Sequence, residues 1–441
     1  MRPDWNPKLF AEHRQRLFEK LGEDDAVLLF GAPHVIRNGD AEFKYRPDSD
    51  VFYLTGWEEA GVAVLFRPGA DHPFVMFVAG RDPAMETWTG RRWGPEGAVE
   101  RFGADEAYAY ETLAAQLPDL LQGYRNLHYR FAEDGDRDQL LIGALKSARR
   151  KARRNGMDVP DAFIDPARTL HELRLFKDEA EIAVLQRAAD LTSDAHCAAM
   201  RATAEGVMEF ELESIIDHTF RLGGGLGPGY TTIVGGGVNA TILHYIENNA
   251  PLKDGDLVCV DAGCEYGFYT ADVTRTWPVS GKFSGPQRAL YQVVLDAQEA
   301  AIAQAVEGNT MRSVHQMAVR VLTEGMVKLG LLEGDVDDLI AEEKFKKYYM
   351  HGTSHWLGLD VHDVGAYYSE GQSRDLAPGM VLTIEPGLYI AEGDEDAPSE
   401  YRGIGIRIED DVLVTAGGNR VLTAAVPKSV AAVEAEVQAG R

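Results

Sequence analysis

The sequence predicts an α+β protein of two domains, a smaller N-terminal α/β domain and a larger C-terminal domain made of two similar α/β halves. Three observations carry this. At 441 residues the chain is too long for one ordinary hydrophobic core. Its first part alternates short apolar runs with helical stretches. Further on, "LKDGDLVCVDAG" (252–263) lies without a gap against "LAPGMVLTIEPG" (376–387), so that Leu252 meets Leu376, Gly255 meets Gly379 and Gly263 meets Gly387.

In the N-terminal part, "AVLLFG" (26–31), "GVAVLF" (61–66) and "PFVMFVAG" (73–80) are apolar runs bounded by Gly, Pro and Asp, as buried strands are. "ALKSARRKARRNG" reads as a helix stopped by Asn-Gly, and "MDVPDAFIDPARTL" as a Pro-punctuated connector. The boundary is therefore set at 172, giving domains 1–172 and 173–441. The second domain opens on "FKDEAEIAVLQRAADLTSDAH", where Asp178 and Glu181 resemble a capping box and Ile182, Leu185 and Ala189 recur at helical spacing. A second helix, "MEFELESIIDHTFRLGG", stops at glycine. Strands, two helices (about 286–306 and 311–329) and strands again complete it, and "AEGVMEFELESII" echoes "VEGNTMRSVHQMA".

Composition narrows the function classes. Hydrophobic residues make up 45% and charged ones 26%, as in a globular protein. The net charge of −26 opposes binding to nucleic acid or anionic lipid. "KSARRKARRNG" (146–156) runs against that balance with six Lys or Arg, yet no aromatic residues interleave to stack on bases, so it reads as a solvated helix face. The N-terminal stretch "MRPDWNPKLFAEHRQRLFEK" has no apolar core of a signal peptide, and no apolar run is long enough to span a membrane. Three cysteines (Cys197, Cys259, Cys264) are too sparse for a disulfide scaffold, which makes the cytoplasm the expected compartment.

The duplication also aligns acids. Asp261 coincides with Glu385, and Asp272 in "ADVTRT" corresponds to Glu409 in "IRIEDD" if the second half has the longer loop. Asp is poorly suited to strand-like segments, and an unpaired buried charge costs several kcal/mol. Facing halves would bring the four carboxylates together. Either two divalent cations lie among them, or each has its own salt bridge to Arg275, Arg407 or another basic neighbour. The stretch "MHGTSHWLGLDVHD" holds three of the chain's twelve histidines, His351, His355 and His362, and favours a metal. Gly352 stands where a zinc-protease helix has its glutamate, and Gly352 with Thr353 makes a poor helix. Carboxylates with one imidazole suit Mn²⁺, Co²⁺ or Fe²⁺ as well as Zn²⁺.

Five stretches together, "LHY" (243–245), "DAG…ADVTR" (261–275), "HGTSHWLGLDVHD" (351–363), "TIEPGLY" (383–389) and "GIGIRIED" (403–410), resemble the metal-dependent pita-bread peptidases, and most of all bacterial Xaa-Pro aminopeptidases. "YRPDSDVFYLTGW" (45–57) and "WTGRRWG" (88–94) extend the resemblance into the N-terminal domain. It implies a pita-bread catalytic domain and two divalent ions, Mn²⁺ by preference. Their ligands would be Asp261, Asp272, His355, Glu385 and Glu409, with Asp272 and Glu409 shared between them. A hydroxide formed on water between the ions would attack the first peptide bond of a substrate with proline second. It implies Glu385 as general base, with His244, His351 and His362 lining the substrate site and Arg407 behind the first Asp. His351, Trp356, Tyr389 and Arg407 are expected as walls of the proline pocket. Arg154, Asp40 and Trp88 match N-terminal-domain residues near the substrate, the last two brought by a neighbouring subunit of a dimer or tetramer.

Other readings have counterparts in the sequence. A prolidase confined to Xaa-Pro dipeptides shares the same ligands, and a metal-free binding or lytic protein of this fold would have lost some of them. Cys259 and Cys264 read as packed strand cysteines. "VGGGVNA" (234–240) fits a loose dinucleotide motif, but "TILHYIE" after it reads as strand where that fold needs a helix. "GGGLGPGY" (223–230) follows a helix, against phosphate binding. Trp88 is expected either in the core or as a lid crossing between subunits.

Overall fold

The structure, a computed structural model, describes residues 5–441, so the first four residues of the opening stretch lie outside it. The described chain divides into two compact units meeting at 174/175.

The N-terminal unit is built on a six-stranded sheet. From one edge the strands are Glu106–Ala109, Phe74–Val78, Ala63–Phe66, Asp25–Phe30, Asn126–His128 and Ala162–Ile164. Ala63–Phe66 runs antiparallel to both neighbours, and the other pairings are parallel. The three apolar runs seen in the sequence are its central strands, buried almost throughout, as strands covered on both faces must be. The helix Gly135–Asn155 starts where the Asp134 carboxylate accepts from the N–H groups of Asp136 and Arg137, and stops at Gly156, whose φ of 73° favours glycine. It buries Leu141, Ala144, Leu145 and Ala148, so the basic run sits on its solvated side. The stretch read as connector is more ordered than its prolines suggest. It contributes the edge strand Ala162–Ile164 and starts the helix Ala167–Leu175, because Pro166 falls just before the helix and does not interrupt it.

The C-terminal unit is two halves of like construction. In the first, the helices Glu179–Ala202 and Glu209–Leu222 back a sheet in which Leu257–Asp261 pairs antiparallel with both Ile233–Gly236 and Thr274–Pro278. In the second, Gly285–Gln304 and Met311–Lys328 back Val381–Ile384, which pairs antiparallel with Asp410–Thr415. The Asp178–Glu181 capping box forms at the head of the first helix. Residues 242–249 are irregular apart from a turn at 243–244, and do not form the expected strand. Ile242 and Ile246 are both about half exposed, so their alternation serves no buried face.

The halves are joined along a polar seam. Thr276 Oγ1 donates to Arg407 O (3.0 Å), and Glu409 N–H donates to Thr274 O (3.0 Å). Beside it Arg275, fully buried, meets Asp410 of the other half at 2.6 Å. Asp410 also accepts from Gln298, Thr423 and Lys428 at 2.7–2.8 Å. Burial pushes the Asp410 carboxyl up, but Arg275 and Lys428 outweigh it and hold it below its ordinary value. Replacing Arg275 with Met strands that carboxylate with too little positive charge. The C-terminal unit should lose about 3–5 kcal/mol of unfolding free energy, measured by urea denaturation; a loss below about 1 kcal/mol would mean that the seam does not depend on this pair.

Candidate metal centre

Each half delivers one acid at the end of its central strand. Asp261 closes Leu257–Asp261, opposite Ile233 and Thr274, and Glu385 directly follows Val381–Ile384, its N–H held by Thr353 O at 2.9 Å. Two residues on, both halves need glycine. A Cβ on Gly263 would lie 1.6 Å from Ala271 O, and one on Gly387 2.8 Å from Ile406 O, so the returning backbone can press close only where no side chain intervenes.

The second acid of each pair comes from beyond that return. Asp272 precedes Thr274–Pro278, its N–H donating to the Asp411 carboxylate, and Glu409 precedes Asp410–Thr415, accepting from Thr274 Oγ1 at 2.6 Å. His355 is pinned to the second half: its N–H donates to Thr383 Oγ1, and Thr383 N–H returns a bond to His355 O. Asp272, His355 and Glu409 offer ligand atoms all within 4.8 Å of one another.

The donor set fits divalent cations. His355 Nδ1 bonds Trp356 O at 3.0 Å, which fixes the ring so that Nε2 faces Asp272 (3.3 Å) and Glu385 (3.7 Å). Among the described residues, of the four carboxylates only Asp261 has an arginine, Arg407, at 2.7 Å. Tyr230 Oη reaches both Asp261 (2.6 Å) and Asp272 (2.5 Å) and can donate its one proton to only one of them. Among the described residues, Arg407 and His355 are left to offset four acids. Accordingly burial, with Asp272 and Asp261 adding to it against His355 and Arg407, pushes Glu385 up to about 7. Burial also raises Asp272, and raises Glu409 well above the carboxylate range. His355 goes the other way. Burial disfavours its charge, but Asp272 and Glu385 raise it to about 9. Four acids and an imidazole converging with too little positive charge make a site for divalent ions.

Around these residues lies a cleft of about 520 Å³, lined also by His244, His351, His362 and Arg407. His351 bonds Gly352 O and Tyr389 Oη, and the His362 ring stands 4.4 Å from that of His355. Burial, then Arg407, lowers His351 to about 4, so its ring is neutral near pH 7. Two expected pocket walls stand behind the cleft instead. Trp356, 1% exposed, packs in the core and stacks on Tyr367, and Tyr389 is covered and reaches the site only by its hydroxyl. Trp356 follows His355 and bridges to Leu382, while Tyr389 follows buried Leu388 at the end of the strand Gly387–Tyr389. Asp40, Trp88 and Arg154 belong to the N-terminal unit and are exposed. At 85% exposure Trp88 is no core residue. Cys259 and Cys264 are buried, and burial raises both thiols, Cys264 to about 12, so neither offers a thiolate. Sequence reasoning missed Tyr230, Thr274 and Asp411. "GGGLGPGY" was weighed only for its glycines, although its last residue is the one that reaches the acids.

Protons and metal compete for this site. A carboxyl whose folded value lies above its unfolded one stabilises the fold while protonated. For Glu385 that contribution is complete below about 4.5 and is lost as the pH rises through about 7. Metal-free protein should therefore become less stable between pH 5 and 8, while its affinity for Mn²⁺ rises over the same range with release of protons. Calorimetric titration in buffers of different ionisation enthalpy measures that release; pH-independent binding without it would contradict the charge balance.

The comparisons with known proteins agree with this geometry. Residues 183–416 match the model of metallopeptidase family M24, and residues 10–129 match the aminopeptidase P N-terminal domain. The chain is 46% identical over 434 residues to the Xaa-Pro aminopeptidase of Escherichia coli strain K12, covering 98% of each. Its structure is similar to that of the Pseudomonas aeruginosa aminopeptidase PepP, with a TM-score of 0.97 and 43% identity over 99% of each chain. It is equally similar to a zinc-substituted Escherichia coli aminopeptidase P in complex with product, with a TM-score of 0.96 and 44% identity over the whole of both chains. On its family match and on its likeness along its whole length to these enzymes, the chain belongs to metallopeptidase family M24 and has the pita-bread fold.

Proposed function

We propose that this protein is an Xaa-Pro aminopeptidase, a hydrolase that releases the N-terminal residue from peptides with proline in second place. One observation carries the reading: all five acids and imidazoles that would hold two divalent ions meet in one cleft, in a chain similar to enzymes of that name over nearly its whole length. Asp261, Asp272, His355, Glu385 and Glu409 would hold the ions, with Asp272 and Glu409 shared. Mn²⁺ is the ion we assign, although Zn²⁺, Co²⁺ and Fe²⁺ suit the same donors. Bound there, the ions would supply Lewis acidity, making a water more acidic and polarising a carbonyl.

The chain's own groups do the rest. Glu385 accepts the proton of the attacking water and relays it to the leaving nitrogen. His362 and His244 line the cleft and donate towards the carbonyl oxygen as negative charge develops on it. Asp261 takes the substrate's free α-amino group, which confines cleavage to the N-terminus. The nitrogen of a prolyl bond has no N–H, so shape must select proline. The neutral ring of His351, steadied by Tyr389, forms one wall of that pocket with Arg407. Asp40, Trp88 and Arg154 are assigned to substrate contact, Asp40 and Trp88 across a homodimer or homotetramer interface. The compartment proposed is the cytoplasm.

Glu385→Gln should keep the fold and lose at least about 100-fold in kcat, read by circular dichroism and by hydrolysis of a proline-second peptide; turnover near wild type would remove Glu385 as base. Exhaustive chelation should abolish activity and Mn²⁺ restore it. Cleavage of a proline-second tripeptide or longer peptide separates this reading from a prolidase, which would act on Gly-Pro alone.

A further inference from the structure

The cleft does not end at His351. A second hollow of about 400 Å³ shares His351, Gly352 and Ser354 with it and runs on to His315 and Arg312 of the helix Met311–Lys328. A third, of about 570 Å³, continues from Arg312 and His315 along that helix. We propose that this groove holds the part of a peptide substrate beyond its proline, and that Arg312 recognises the peptide's C-terminal carboxylate. The inference rests on the aminopeptidase reading and adds to it the residue that sets peptide length.

Three observations carry it. The first is continuity. From the His351 ring the wall passes to Tyr349 at 4.9 Å between centroids and on to His315 at 5.9 Å. His315 is fixed by a 2.7 Å bond to Thr353 Oγ1, and Arg312 lies one turn away on the same helix face. An extended chain advances about 3.3–3.6 Å per residue, so about three residues after the proline reach this turn. The second is charge. Lys346 is paired with Glu343 at 2.7 Å, and Arg320 with Asp337 at 2.6 Å. Arg312 has no ion pair or hydrogen bond among the described residues, an uncompensated cation in a chain of net charge −26. A guanidinium in that position suits a carboxylate. The third is surface chemistry. Met350 and Tyr368 line the groove at 46% and 65% exposure, apolar area that a peptide backbone and small side chains can cover without displacing any partner.

The test uses the Mn²⁺-loaded protein and two pentapeptides, Ala-Pro-Ala-Ala-Ala as the free acid and as the C-terminal amide. In the wild type the acid should have a KM about fivefold below that of the amide. Arg312→Ala should remove that ratio by raising KM for the acid with little change in kcat, Arg312→Lys should keep most of it, and Arg312→Glu should invert it. All three changes fall on an exposed helix position, so they leave the fold in place. Equal KM values for acid and amide in the wild type, or a ratio untouched by Arg312→Ala, would overturn the groove while leaving the aminopeptidase reading intact. A wild type inert towards both peptides would overturn that reading and this one with it.

Discussion

Everything in the C-terminal unit follows from the need to neutralise Asp261, Asp272, Glu385 and Glu409 in one shielded cleft. Two like charges 4 Å apart repel by about 4 kcal/mol at the effective dielectric of a protein surface, and more where water is excluded. His355 and Arg407 offset only part of this. The fold nevertheless holds the acids together with stiff, short-range devices. Strand ends carry the first acid of each half, close-packed glycines return the chain, and the Thr274–Thr276 seam draws the second acids towards each other. Such an arrangement stores electrostatic repulsion that cations relieve, and it costs stability that the Arg275–Asp410 pair beside it helps to offset.

The duplication explains why neither half suffices. Each supplies one strand-end acid and one acid from beyond the return, while the imidazole comes only from the second. The two halves are therefore similar in backbone and different in chemistry. The longer loops of the second half carry His351, His355 and His362, and with them the side of the cleft that would face the substrate.

How much of this could be read beforehand depended on whether a feature was local. The strand-end acids were legible because a gapless repeat placed Asp261 on Glu385 and Gly263 on Gly387, and the structure gives those glycines the same physical task. The histidine cluster was legible from its density. Tyr230 was not: an aromatic after a glycine-rich loop carries no periodic signal, and its role exists only once Asp261 and Asp272 are neighbours in space. "TILHYIE" misled because alternating apolar residues imply a buried strand face, whereas here Ile246 lines an open cleft and Ile242 is about half exposed. Trp356 misled for the opposite reason. Its place beside His355 suggested the pocket, yet on an extended segment neighbours point to opposite sides, and the tryptophan takes the core.

The central claim is that acids from both halves share two ions. Anomalous diffraction above and below the manganese edge, on crystals grown with Mn²⁺, tests it most directly. The account predicts two peaks per chain, each touching residues of both halves, with Asp272 and Glu409 on both. One peak held by a single half, or none with the carboxylates turned to protein cations, would contradict it.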